Sequence, residues 1–125
     1  MPRFAVLEHT GAPDDPAGRH FDLLLEAGAA CRTWRLWAVP DHGGDAVAAV
    51  ELPPHRLVWL ERLEGEVSGG RGFARRVDAG NYDLCSSDAA DLCTATAIVL
   101  ELAGATLSGR LRLEAMGDGW SVRLG

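Results

Sequence analysis

Apolar residues recur along this chain in short runs separated by turn residues. Arg3–Glu8 opens with Phe4-Ala5-Val6-Leu7, and His20–Glu26 (HFDLLLE) forms a second run followed by Gly28. Thr33–Val39 ends at Pro40, and Val47–Leu52 stops at the pair Pro53-Pro54. Arg56–Leu63 alternates loosely, Phe73–Val77 follows a glycine-rich stretch, and Thr94–Leu102 is rich in β-branched and aliphatic residues. Leu107–Glu114 alternates strictly: Leu107, Gly109, Leu111 and Leu113 against Ser108, Arg110, Arg112 and Glu114. Trp120–Leu124 repeats that pattern. Strict alternation puts every second side chain on one face of a strand. Turn pairs stand at Ala79-Gly80, Ala103-Gly104 and Asp118-Gly119.

Many short strands punctuated in this way predict an all-β fold, a compact closed or partly open β-barrel of about eight strands. At most one short helix is expected, over Ser87–Cys93, capped by Ser86 or Ser87. Residues 11–19 (GAPDDPAGR) and 41–45 (DHGGD) read as mobile loops. No internal repeat or linker divides residues 1–125, so a single domain is expected.

Composition adds exclusions. A chain of 125 residues that is 47% hydrophobic is not a disordered segment, and it needs no disulfide or metal merely to fold. No apolar run approaches the ~20 residues of a membrane span. The opening segment lacks a signal-peptide pattern. The expected location is therefore cytoplasmic, without membrane contact. Cys31, Cys85 and Cys93 include no CxxC pair, and the expectation is small buried thiols rather than a zinc knuckle. The formal charge of −6 argues against tight binding along nucleic acid but not against contact with one end. All twelve basic residues are Arg, so any phosphate contact from them is a planar guanidinium.

The candidate chemistry lies in His20-x-Asp22 together with His9. Residues i and i+2 of a strand share a face, and a neighbouring antiparallel strand can bring His9 to the same point. Two imidazoles and a carboxylate leave coordination positions open, which suits hydrolytic metal chemistry. Spacing alone leaves another arrangement open, with His20 and Asp22 facing solvent and His9 in a hairpin loop. Asp22 stands among Phe21, Leu23, Leu24 and Leu25, where a buried carboxylate needs a cationic partner. Arg71, set among Gly69, Gly70 and Gly72, with Arg75 and Arg76 beyond it, forms the one concentrated basic patch. Trp34, Trp37, Trp59 and Trp120 can fill a core or stack on bases.

Phe4-Ala5-Val6-Leu7-Glu8-His9, then His20-Phe21-Asp22-Leu23-Leu24-Leu25-Glu26 and Gly28, resemble the opening pattern of the 3′-phosphoesterase domain family of bacterial DNA ligase D. Trp37-Ala38-Val39-Pro40, His55-Arg56-Leu57, Leu63-Glu64-Gly65, Asp78-Ala79-Gly80-Asn81-Tyr82 and Leu102–Gly109 are similar to later family segments, in order. The resemblance implies a stand-alone, divergent β-barrel that binds manganese or a related divalent ion. It implies removal of a 3′-phosphate or a 3′-terminal ribonucleotide in DNA repair. Metal ligation falls to His9, His20 and Asp22, catalysis to these three with His55, and phosphate contact to His55, with Arg71 and Arg75 as further phosphate-binding candidates. The implied partners are a nucleic-acid 3′ end and a separately encoded ligase or polymerase, with the protein itself a monomer. The family's arginine two residues beyond the Asp is Leu24 here, and the family's Tyr four residues after the phosphate-contacting His is Trp59. A catalytically degenerate end-binding or protein-interaction module of the same fold is the alternative reading.

Overall fold

The short runs are realised as nine strands: β1 (Arg3–Thr10), β2 (Arg19–Ala27), β3 (Ala30–Leu36), β4 (Val47–His55), β5 (Glu64–Glu66), β6 (Phe73–Ser87), β7 (Ala97–Gly104), β8 (Ser108–Met116) and β9 (Gly119–Leu124). The computed structural model describes residues 1–125. Every pairing is antiparallel. The strands follow the order β1-β2-β3-β4-β9-β8-β7-β6, and β6 returns to β1. Eight strands thus close a barrel, and β5 lies outside it on β6. Closure leaves little sheet edge to aggregate.

Alternation assigns the two faces. Phe4, Val6, Leu23, Leu25, Trp34 and Leu36 belong to a buried cluster of 18 residues that fills the barrel, with Leu100, Leu111, Leu113 and Val122 from the far wall. Arg32 also points into this interior. Its guanidinium stacks on Trp34 and Trp120 at 4.9 and 5.0 Å. It donates to the Glu51 carboxylate and to the carbonyls of Leu92 and Ala95, so the buried charge is fully engaged. The intervening residues Ala5, Leu7, Leu24 and Cys31 face outward, yet they too are buried, in a second cluster of five with Leu60. A 3₁₀ turn at Leu57–Leu60 covers them. Arg76 pins this cover by donating to the Leu60 carbonyl at 2.7 Å. Burying a side chain such as Leu24 or Leu60 stabilises by about 1.5–3 kcal/mol, so the cover is part of the fold.

Several expectations need correction. β4 does not stop at Pro53-Pro54 but runs to His55. It pairs with β9 only over Val47–Ala49, so beyond Ala49 that edge is free and the missing proline N–H breaks no ladder bond. Ala79-Gly80 is not a turn: β6 passes straight through it. A Cβ at Gly80 would collide with the Ala103 carbonyl, so glycine serves close strand approach there. Arg56–Leu63 is a covering loop with its 3₁₀ turn, not a strand. The helical segment is only Leu92–Thr94, capped by Asp91, which accepts from the Cys93 N–H at 2.9 Å. Cys31 is buried, but Cys85 and Cys93 are exposed. No helix is long and apolar enough to cross a membrane.

Candidate metal centre

Register between β1 and β2 decides where the chemistry lies. His9 stands directly opposite His20, and Leu7 opposite Asp22. Alternation puts His9, His20 and Asp22 on the outward face, in the same rows as Leu7 and Leu24 but one step nearer the barrel's end. His20 is fully buried and Asp22 is 7% exposed. The cover over residues 55–72 and the loop between β1 and β2 bury them, so the solvent-facing alternative does not apply.

The hydrogen bonds fix which ring nitrogens are free. His9 Nε2 lies 2.7 Å from the Arg71 carbonyl, which can only accept, so Nε2 carries the proton. The remaining nitrogen, Nδ1, lies 3.8 Å from Asp22 Oδ2. His20 Nδ1 donates to Asp15 Oδ2 at 2.8 Å, and His20 Nε2 faces Asp22 Oδ1 at 3.4 Å. His20 Nε2 and Asp22 Oδ1 are buried with no hydrogen-bond partner. An unpartnered buried polar atom is costly, and here two of them converge. One donor atom from each of His9, His20 and Asp22 lies within 4.8 Å of the others. Ligand atoms bound about 2.1 Å from an ion sit about 3–3.5 Å apart, so small rotations bring these three into register. The residues fit a divalent ion and can hold one.

Electrostatics agree with that fit. Burial pushes the Asp22 carboxyl up, but the imidazoles of His20 and His9 outweigh it and hold the group at about 2. The Asp22 carboxylate raises His9 above its ordinary value, against the effect of burial. The site therefore presents an ionised carboxylate at neutral pH.

Asp15 was not foreseen. It lies in a stretch read as a mobile loop, but residues 11–18 form a hydrogen-bonded turn, with Gly11 N–H on the Gly18 carbonyl and Gly18 N–H on that of Asp15. The Ala17 N–H donates to Asp15 Oδ1, which leaves Oδ2 for His20. A carboxylate behind a ligating imidazole fixes its tautomer and raises its basicity.

His55 reaches the same cleft from the end of β4, where it pairs with Cys31. Its Nδ1 donates to the Pro53 carbonyl at 3.0 Å, leaving Nε2 free. His9, Asp22, His55, Arg35 and Arg71 all line one cleft of about 620 Å³. Arg71 contributes chiefly through its backbone, since its guanidinium bonds Ser68 O and Oγ at 2.7 and 3.0 Å. Arg75 does not join the site. It pairs with Glu8 across β1, and alternation turns that pair away from His9. Trp59 is half-buried at the cleft, its ring 6.5 Å from that of His55. Trp34 is core, whereas Trp37 is exposed.

Arg35 was also missed. It stands on β3 directly opposite Asp22. The hairpin between β2 and β3 carried the signal: Ala27 pairs with Ala30 around Gly28-Ala29, and counting back from that short turn places Arg35 beside Asp22.

No protein-family model matches the chain, and no curated protein is significantly similar to it.

Proposed function

We propose that the protein is a metal-dependent phosphoesterase acting on nucleic-acid 3′ ends, a divergent stand-alone relative of the DNA ligase D 3′-phosphoesterase domain. The observation that carries this reading is the convergence of two tautomer-fixed imidazoles and an ionised carboxylate, with His20 Nε2 and Asp22 Oδ1 buried and without a hydrogen-bond partner. His9, His20 and Asp22 would hold the ion, with manganese the proposed identity. When bound, such an ion polarises a phosphoryl oxygen and lowers the pKa of a bound water.

The chain's own groups supply the rest. Asp15 keeps the lone pair of His20 on Nε2, and the Arg71 carbonyl does the same for Nδ1 of His9. His55 offers an uncommitted Nε2 at the cleft wall, which accepts in the neutral ring and, in the imidazolium form, would donate to a phosphate oxygen or protonate a leaving oxygen. The short mixed-charge cleft suits one chain end better than a long duplex, in keeping with the net charge of −6.

Two measurements test the proposal together. Manganese titrated calorimetrically should bind the parent at one site and fail to bind His20→Ala. A 3′-phosphorylated primer, and one ending in a single ribonucleotide, should lose phosphate or nucleotide with parent and manganese only. Metal binding without release from either primer would instead support an end-binding module.

A further inference from the structure

The position that carries an arginine in the resembled family is closed here. Leu24 is fully buried and packs under Leu60, in the cluster with Ala5, Leu7 and Cys31. No anion can reach that place.

The neighbouring strand offers a cation instead. Arg35 lies opposite Asp22 on the same face, with its side chain only 14% exposed. It lines the cleft beside His9, Asp22 and His55. Its hydrogen-bonding capacity is largely unused. The buried Nε has no partner. Nη1 makes one long contact of 3.3 Å to Oδ2 of Asp14, whose side chain is 70% exposed. A guanidinium has five N–H donors in a planar fork made for two oxygens of one anion. Of the other arginines that line the cleft, Arg71 is already committed to Ser68, and Arg56 is exposed to solvent rather than held between the strands.

We infer that Arg35 is the anion clamp of this site and that the Asp14 carboxylate is its placeholder, displaced when a tetrahedral phosphate enters beside the metal ligands. The identity of that anion rests on the phosphoesterase reading; the clamp itself does not. The geometry explains why the loop carries Asp14 and Asp15 side by side. Asp15 reaches inward to hold His20, and Asp14 reaches outward to hold Arg35. One turn of chain thereby sets both the cation half and the anion half of the site. With a divalent ion present, the ion and the Arg35, Arg56 and Arg71 guanidiniums that line the cleft outweigh the Asp14, Asp15 and Asp22 carboxylates, so the loaded cleft favours an anion.

The test uses inorganic sulfate, a tetrahedral anion that cannot be hydrolysed, titrated calorimetrically into the manganese-loaded protein in dilute chloride buffer. Arg35→Ala should weaken sulfate binding by about tenfold to a hundredfold while leaving manganese affinity within about threefold, because only a charge-assisted anion contact is lost. Arg35→Gln preserves bulk and should behave alike, which separates loss of charge from a packing fault. Asp14→Asn removes the competitor and should tighten sulfate binding about threefold or more. Unchanged sulfate affinity in Arg35→Ala, no sulfate binding by the loaded parent, or weakened binding in Asp14→Asn would each overturn the assignment. Sulfate binding through Arg35 with no release from either primer would sink the phosphoesterase reading alone. Undiminished primer hydrolysis by Arg35→Ala would sink the clamp alone.

Discussion

Two buried carboxylates in this barrel meet opposite fates. Asp78 on β6 is 4% exposed and accepts the backbone N–H groups of Ala105, Thr106 and Leu107 at 3.1, 3.1 and 2.7 Å. It thereby organises the turn between β7 and β8. Asp22 on β2 is nearly as buried, yet its Oδ1 accepts nothing and faces an equally unengaged imidazole nitrogen. Burial alone therefore does not separate a strut from a site. What separates them is whether the charge is already engaged by the chain that surrounds it. Asp78 is held by three fixed donors, whereas Asp22 stands beside groups that can turn toward an ion.

The sharpest way to break that contrast is to remove each carboxylate in turn. Asp78→Ala strands three main-chain donors and should cost about 3 kcal/mol or more, read as a lower urea midpoint, with metal stoichiometry of the folded fraction unchanged. Asp22→Asn should cost the metal-free protein less than Asp78→Ala, about 2 kcal/mol at most, because only the pairing with His20 and His9 is lost, while manganese affinity falls by more than about a hundredfold. Added manganese at a hundred times its Kd should stabilise the parent by about 2.7 kcal/mol and the Asp22→Asn variant not at all. A reversal of these two outcomes would show that the roles have been assigned the wrong way round.

Acid sharpens the same comparison. Burial raises the Asp78 carboxyl, but the N–H groups of Leu107, Thr106, Ala79 and Ala105 outweigh it and hold the net value below 3.8. Its stabilisation is therefore complete above 3.8 and is lost as pH falls through the lower folded value. Asp78→Ala should flatten that acid limb of a stability curve. At the candidate metal centre the sign differs, because His9 is raised above 6.5, chiefly by Asp22. In the metal-free protein that pairing stabilises most below 6.5 and fades as pH rises through the folded value. A ligating His9 must first lose its proton, so manganese affinity should instead climb with pH, by up to about tenfold per unit below that value. Melting curves with and without manganese from about pH 5.5 to 8 should thus diverge; parallel curves would remove His9 from the ligand set.

A smaller effect is expected behind His20. Asp15→Asn keeps the shape but weakens the acceptor that fixes the tautomer, and should lower manganese affinity by about tenfold to a hundredfold, less than loss of Asp22. Equal losses would make Asp15 a ligand rather than a support.

Legibility in the chain followed the length of each connection. His20 and Asp22 share a face by alternation alone, and Gly28-Ala29 marks a hairpin whose pairing follows directly, whereas the turn between β8 and β9 is Gly117-Asp118, one residue before the expected Asp118-Gly119. The partnership of His9 with His20 crosses the longer loop 11–18, whose register no local pattern sets, and the depth of Asp15 depends on how that loop folds upon itself. Ring closure between β1 and β6 joins segments about seventy residues apart and leaves no local mark. The Pro53-Pro54 and Ala79-Gly80 pairs misled because their usual meaning is a break. A free edge in one case and a close strand approach in the other gave them a place inside strands.

The smallest predicted effect concerns Arg75, which adjacency to Arg71 made a phosphate-binding candidate. Its partner is Glu8, 3.0 Å away and shared with Arg19 at 3.6 Å. Cross-strand alternation sends that trio to the face opposite His9. Arg75 is 60% exposed along its side chain, so the ion pair is solvated and one of two for Glu8. Arg75→Ala should change stability by no more than about 0.5 kcal/mol and leave both manganese and sulfate binding at parental values. The same change at Arg35, one strand from Asp22 rather than across the wall, should remove most of the sulfate affinity. If the two variants lost sulfate equally, the face assignment drawn from strand register would be wrong, and with it the separation of the site from the charged rim beside it.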